Sequence, residues 1–377
     1  MIAKRLQKID RFLNFISIDL EFSRVNPTNV RSAMIKFKKS KKNPIFEYEE
    51  PDEYLAVMRS VRREISFGDS QIEKLLERKR KDLIRKIRFL NSIGTESFTK
   101  RSCQIYRPPN KRLIELAYSI LKLPKSKKQK KIYRKEARAM IRFAFKMLGF
   151  RWRIRNSDII TSARVNPLKQ TLELRKKERF SEKYVRRLIV HELGTHAVRA
   201  ENARQQPLLI FLHGLPGYLE TEEGLAAYAE HLTGVLDNST LRNYAGRVIA
   251  IHYALEHDFR STYNHLRKYF SDKMAWKLTL RAKRGLSDTS QPGAYTKDVI
   301  YLRGFLNVKR YIEKGGDLEE LYIGKIGLKD IPLIRSISEI KKPEYLPFRL
   351  FANEMITREV PLPADRKEQL IKSTYGV

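Results

Sequence analysis

Apolar residues recur at three- and four-residue intervals from Ile72 to Ile93 and again from Leu113 to Leu121, the period of a helix that buries one face. This pattern predicts a basic helical N-terminal region over residues 1–150. Pro44, Pro51 and the pair Pro108-Pro109 punctuate it, and Phe46-Glu47-Tyr48-Glu49-Glu50 reads as a loop or short extended segment. The period changes after Trp152. Trp152 to Arg155, Asp158 to Val165 and Thr171 to Arg175 alternate or run apolar, with a turn at Asn166-Pro167, which predicts a small antiparallel sheet. Helical spacing then resumes, with Ser181 as N-cap of a helix from about Glu182 to Arg199. A connecting loop carrying His213 follows from Gln206-Pro207 to Pro216-Gly217, and Thr221 is expected to cap a further helix reaching about Leu236.

Candidate chemistry sits on these two helices. The first carries His191-Glu192-Leu193-Gly194-Thr195-His196, and the second begins Thr221-Glu222-Glu223-Gly224-Leu225-Ala226. A catalytic zinc takes three nitrogen or carboxylate ligands and keeps one position for water, while an adjacent carboxylate takes that water's proton. The two segments together read as a zinc hydrolase site. The spacing is unusual, since this HExxxH pattern sets its histidines five residues apart rather than four. At ~100° per residue, four steps return a side chain to within about 40° of the first, whereas five leave it about 140° away. The helix is therefore expected to be deformed near Leu193 to Thr195, one residue being taken up as a π-bulge at Gly194 so that His191 and His196 converge on one metal. The plain alternative is two ordinary helix histidines beside a surface glutamate. Distribution weighs against it, because all seven histidines fall between positions 191 and 265 and the first 190 residues contain none.

Composition narrows the partners. The 377-residue chain carries a formal charge of +34, which concentrates acidic molecules around it, whether nucleic acid, lipid headgroups or an acidic peptide. The lysine-rich stretches Lys36 to Lys42 and Lys125 to Lys131 could touch phosphates, but no nucleic-acid-binding module is visible. The single cysteine, Cys103, excludes an internal disulfide and fits a reducing compartment. The sequence shows neither a signal peptide nor a run of ~18 apolar residues, so a cytoplasmic protein with no membrane span is expected.

His191 to His196, Glu222 to Ala226 and Lys297-Asp298-Val299-Ile300-Tyr301-Leu302-Arg303-Gly304 together resemble a known family, the tyrosine carboxypeptidases. Its bacterial members are called flavohemoglobin expression-modulating QEGLA-motif proteins, and its animal members are microtubule-associated tyrosine carboxypeptidases. The resemblance extends to Tyr106–Ile120 and Phe180–Arg204 and covers most of the chain. It implies an α+β, predominantly helical zincin-like metallopeptidase of the gluzincin kind, with residues 151–377 as the catalytic region and Zn2+ as cofactor. On this reading His191 and His196 are metal ligands and Glu192 is the catalytic glutamate. Glutamine stands in the QEGLA name where this chain has Glu222, so the carboxylate ligand is matched by Glu223, leaving Glu222 as a bystander or a supporting residue.

Further roles follow from the chemistry such a reaction needs. Tyr301 is the candidate donor to the oxyanion, against a packed tyrosine beside Ile300 and Leu302. Arginine binds a free carboxylate bidentately, which makes Arg199, Arg204, Arg284 and Arg303 candidates for the substrate's carboxy terminus, against surface charges or structural ion pairs. Asp298 is expected to orient a ligand histidine through its second nitrogen. A fourth protein ligand would close the water position, which excludes His213, and His231, His252, His257 and His265 are read as structural or surface groups. The function expected is a zinc carboxypeptidase that removes a C-terminal tyrosine or other aromatic residue from acidic protein or peptide tails. The alternative is a non-catalytic or regulatory zinc protein whose basic surface binds nucleic acid or an acidic partner.

Overall fold

The computed structural model describes residues 2–49, 61, 66–127, 129–159, 162–176, 178–353 and 356. Glu50, Pro51, Lys128, Ile160 and Thr161, which enter the sequence reading above, lie outside the described residues. The chain divides into two units, Met1–Pro124 with Ser239–Arg303 and Lys125–Asn238 with Gly304–Val377.

The first unit is helical, and its helices follow the apolar periodicity. Helix Gln71–Leu90 buries Ile72, Leu75, Leu76, Leu83 and Ile87 along one stripe, and the Ser70 side chain caps it by accepting from the Glu73 amide. It packs against helix Lys4–Asp19, which buries Leu6, Ile9, Leu13 and Ile16. Helix Lys111–Leu121 starts at Asn110, whose side chain accepts from the Leu113 amide. Two aromatic clusters fill the interior. Phe37, Phe46, Phe259 and Trp276 form one, with Phe259 and Trp276 centroids 4.9 Å apart. Phe89, Phe98, Tyr106 and Tyr295 form the other, with Phe89 and Phe98 centroids 5.0 Å apart. The extended segment beside Phe46 is tied down, because the Phe46 amide donates to the Ser287 carbonyl at 2.9 Å.

The second unit opens with helix Arg134–Met147 and then a three-stranded sheet of β1 (Arg153–Ser157), β2 (Ala163–Asn166) and β3 (Thr171–Arg175) in the order β1-β3-β2. β2 and β3 form the antiparallel hairpin that the Asn166-Pro167 turn predicts. The sheet is nevertheless mixed, not antiparallel throughout, because β1 pairs in parallel with β3, Arg153 opposite Thr171. The chain reverses between β1 and β2 but leaves a strand's width, which β3 fills. Alternation shows which side chains a strand buries and is silent on its neighbours. As the central strand, β3 is also the most buried, with Thr171 to Leu174 covered.

The helical stretch after β3 is the one expected, and it runs further. Ser181 accepts from the Tyr184 amide at 3.3 Å, α-helix Glu182–Leu188 follows, Ile189–Ala197 is π-helical, and Val198–Gln205 returns to α. Its far end is fastened to the sheet. Glu201 accepts from Trp152 Nε1 at 2.8 Å and from Gln170 Nε2 at 2.9 Å. No described helix is long and apolar enough to cross a membrane.

Candidate metal centre

The π-helical segment solves the five-residue spacing. Its wider winding brings His191 and His196 onto one side, ring centroids 5.0 Å apart. The deformation spreads over nine residues rather than one. Val190, Leu193, Thr195 and Ala197 of the segment are buried, which anchors the winding. Gly194 has a packing reason to lack a side chain, since a Cβ there would stand 2.4 Å from Cε1 of the buried Phe351.

The carboxylates come from helix Tyr218–Leu232, which packs against the π-helical segment. This helix starts at Gly217, whose φ of +79° suits glycine, so Thr221 lies inside it and does not cap it. The Thr221 hydroxyl instead accepts from the Leu328 amide at 2.9 Å, and the helix ends at Leu232, short of Leu236. Glu223 Oε2 is 3.6 Å from His191 Nε2. One donor atom from each of His191, His196 and Glu223 lies within 4.8 Å of the others, and this is the only such set of three His, Cys, Asp or Glu donors among the described residues.

Each histidine is held from behind by its own carboxylate. His191 donates from Nδ1 to Glu230 at 2.7 Å, and His196 donates from Nδ1 to Glu222 at 2.8 Å. These bonds keep a proton on each Nδ1, so that the neutral imidazole a metal requires would present Nε2. Arginines brace the carboxylates in turn, Arg187 to Glu230 at 3.0 Å and Arg199 to Glu222 at 3.5 Å. Glu222 is thus a supporting residue. Asp298 is not the orienting group, because both Nδ1 atoms are taken by glutamates and Asp298 pairs with Arg281 in the other unit. Sequence reasoning missed Glu230 and Arg187. A signal existed, because seven steps along a regular helix fall about 20° short of two full turns, which sets Glu230 on the face of Glu223.

The electrostatics favour a cation at this point. Burial pushes the Glu222 carboxyl up, but Lys325, His196 and Arg199 together outweigh it and bring it down to about 2. Burial likewise pushes His191 down, yet Glu223, Glu230 and Glu192 lift it to about 10. Four carboxylates therefore crowd two imidazoles, and the proton drawn onto His191 answers a demand for positive charge that a divalent ion would satisfy. Two imidazoles and one carboxylate are also the donor set of an open catalytic site.

The candidate arginines are placed as follows. Arg199 is fully buried and committed to the Gly324 and Ile326 carbonyls, each at 2.8 Å, besides Glu222. Arg204 is exposed, donates to the Pro167 carbonyl and lies 3.5 Å from Glu201. In the other unit, Arg303 binds the Tyr106 and Arg107 carbonyls at 2.5 and 3.0 Å, and Arg284 lies 3.8 Å from Asp298. Tyr301, also there, stacks on Tyr244 with centroids 5.6 Å apart. His213 ends a short helix, Ile210–His213.

Known proteins share sequence with this chain. The mouse microtubule-associated tyrosine carboxypeptidase 1 is 33% identical over 157 residues, 39% of this chain and 32% of that protein. The human putative tyrosine carboxypeptidase MATCAP2 is 29% identical over 173 residues, 44% of this chain and 33% of that protein. The matched stretches span about a third of these relatives' length. The sequence profile of the microtubule-associated tyrosine carboxypeptidases matches residues 35–357, most of the chain, and the protein belongs to that family.

Proposed function

We propose that the protein is a zinc-dependent carboxypeptidase that releases a C-terminal residue, tyrosine or another aromatic, from acidic protein or peptide tails. The observation that carries this reading is the convergence of His191, His196 and Glu223 donor atoms within 4.8 Å, with Glu192 next to the first histidine. These three residues would hold the ion. Zinc bound there supplies an acidified water and polarises the peptide carbonyl.

The protein's own groups do the remaining work. Glu192 takes the proton of the attacking water and returns it to the departing amine. Glu230 and Glu222 keep His191 and His196 in the ligating tautomer and orientation. The formal charge of +34 draws in acidic chains. The family membership supports tyrosine as the residue removed.

The test is tyrosine release from a peptide ending in Glu-Glu-Tyr, followed by chromatography, together with metal analysis of the purified protein. Chelator treatment and Glu192→Gln should each abolish release, with metal retained in the variant. Absence of release from any C-terminal residue by the metal-loaded protein would overturn the reading.

A further inference from the structure

The first unit contains a group of arginines that the reaction above does not use. Arg247, Arg281 and Arg284 gather about one buried carboxylate, Asp298, which is 2% exposed. Arg281 grips it through Nε and through Nη2, the latter at 2.8 Å, and Arg284 approaches to 3.8 Å. Burial alone would raise the Asp298 carboxyl, yet Arg281, Arg247 and Arg284 hold it far below the usual carboxylate range. Three guanidinium groups thus share one carboxylate.

Two of these arginines have hydrogen-bonding capacity to spare. Arg247 lies over the Tyr301 ring with its guanidinium carbon 4.0 Å from the centroid, and its Nη1 is buried without a hydrogen-bond partner among the described residues. Arg284 donates from Nη1 to Asn26 at 2.8 Å, but its Nε is also buried without a hydrogen-bond partner among the described residues. A buried, charged N–H with no acceptor costs more than a neutral one left in the same state. Tyr301 and Tyr244, stacked together, hold Arg247 in place by cation–π contact from one side. Spare guanidinium donors beside an excess of positive charge are the groups that a carboxylate's oxygens accept from.

We propose that Arg247 and Arg284, supported by Arg281 and Tyr301, form a binding site for a carboxylate of an acidic peptide. The choice of a peptide as ligand rests on the function proposed above. The carboxylate is either the terminal one or a glutamate side chain, and the chemistry is common to both.

The experiment measures binding without turnover, by fluorescence anisotropy of an N-terminally labelled Glu-Glu-Tyr peptide on the full-length Glu192→Gln protein. Arg247→Gln in that background should weaken Kd by at least ~10-fold. Arg247→Lys, which keeps the charge but loses the fork, should not restore it. A C-terminally amidated peptide and a Gln-Gln-Tyr peptide separate the sources, since whichever loses affinity carries the bound carboxylate. If neither modification weakens binding, or if Arg247→Gln binds as tightly as its parent, the proposal is overturned. Thermal melts of both Arg247 variants show whether the fold is kept, and Arg284→Lys provides a second reading of the same loss. Carboxylate-dependent binding by a protein that releases no tyrosine would sink the peptidase reading and leave this site standing.

Discussion

Gly224 and Gly304 meet backbone to backbone: a Cβ on Gly224 would lie 2.3 Å from the carbonyl carbon of Gly304, and one on Gly304 only 2.1 Å from the Glu220 carbonyl oxygen. Neither neighbour is a side chain that could swing aside. This contact seats helix Tyr218–Leu232, and with it Glu223, at a depth that no larger residue permits.

Gly224→Ala should therefore cost at least ~3 kcal/mol, the upper part of the overpacking range, because backbone must move. The melting temperature should fall by about 2–4 °C for each kcal/mol. Metal affinity, measured by chelator competition, should fall with it as Glu223 is displaced.

Glu230→Ala is expected to weaken metal binding by ~10–100-fold, the usual cost of losing a carboxylate behind a ligand histidine. Chelator competition reads this directly. An unchanged affinity would mean that His191 keeps its orientation without the 2.7 Å bond to Glu230.

Arg199→Met removes a fully buried guanidinium and leaves Glu222 without its bracing arginine. A loss of ~3–5 kcal/mol in denaturant unfolding is expected, since half of a buried ion pair is worse than none. The double variant Arg199→Met with Glu222→Leu should recover part of that stability. Recovery of stability without recovery of metal affinity would separate the two duties of Glu222.

Asp298 supplies a pH signature. Its carboxyl is held below the ordinary aspartate value of ~3.9, so its contribution is fully present above that pH and is lost as pH falls towards the lowered folded value. Below about pH 4 the wild-type protein should lose stability more steeply than Asp298→Asn. The variant should be less stable at neutral pH, where the arginines lack their shared anion. Unfolding curves collected from pH 7 down to the acid limit give both results.

The shared face of His191 and His196 was legible in the sequence because their spacing makes a geometric demand that only a wider helix meets. Ser181 was legible as a cap for an equally local reason. What stayed hidden depends on neighbours distant in sequence. A single glutamate at 230 carries no motif, and its role exists only once two helices are packed. The parallel partner of β1 is decided by where β3 inserts, which alternation does not record. Thr221 was ambiguous because cap-forming residues before acidic pairs also occur inside helices, and here Gly217 starts the helix earlier. The arginines are expected at a substrate's carboxy terminus, but Arg199 spends its donors on the protein's own Glu222 and carbonyls.

The π-helical segment also keeps what lies downstream of it in phase. Removing one residue between His191 and His196 would restore an ordinary four-residue pair, and because the wider winding already takes up that residue, rewinding as α-helix would leave later positions on their present faces. The guanidinium of Arg199 would stay in the interior, and Asn202 would keep the Tyr345 carbonyl to which it donates at 2.8 Å. The extra residue is therefore a local insertion whose effect is confined to the histidine turn, and a single deletion separates this motif from the shorter, more familiar one.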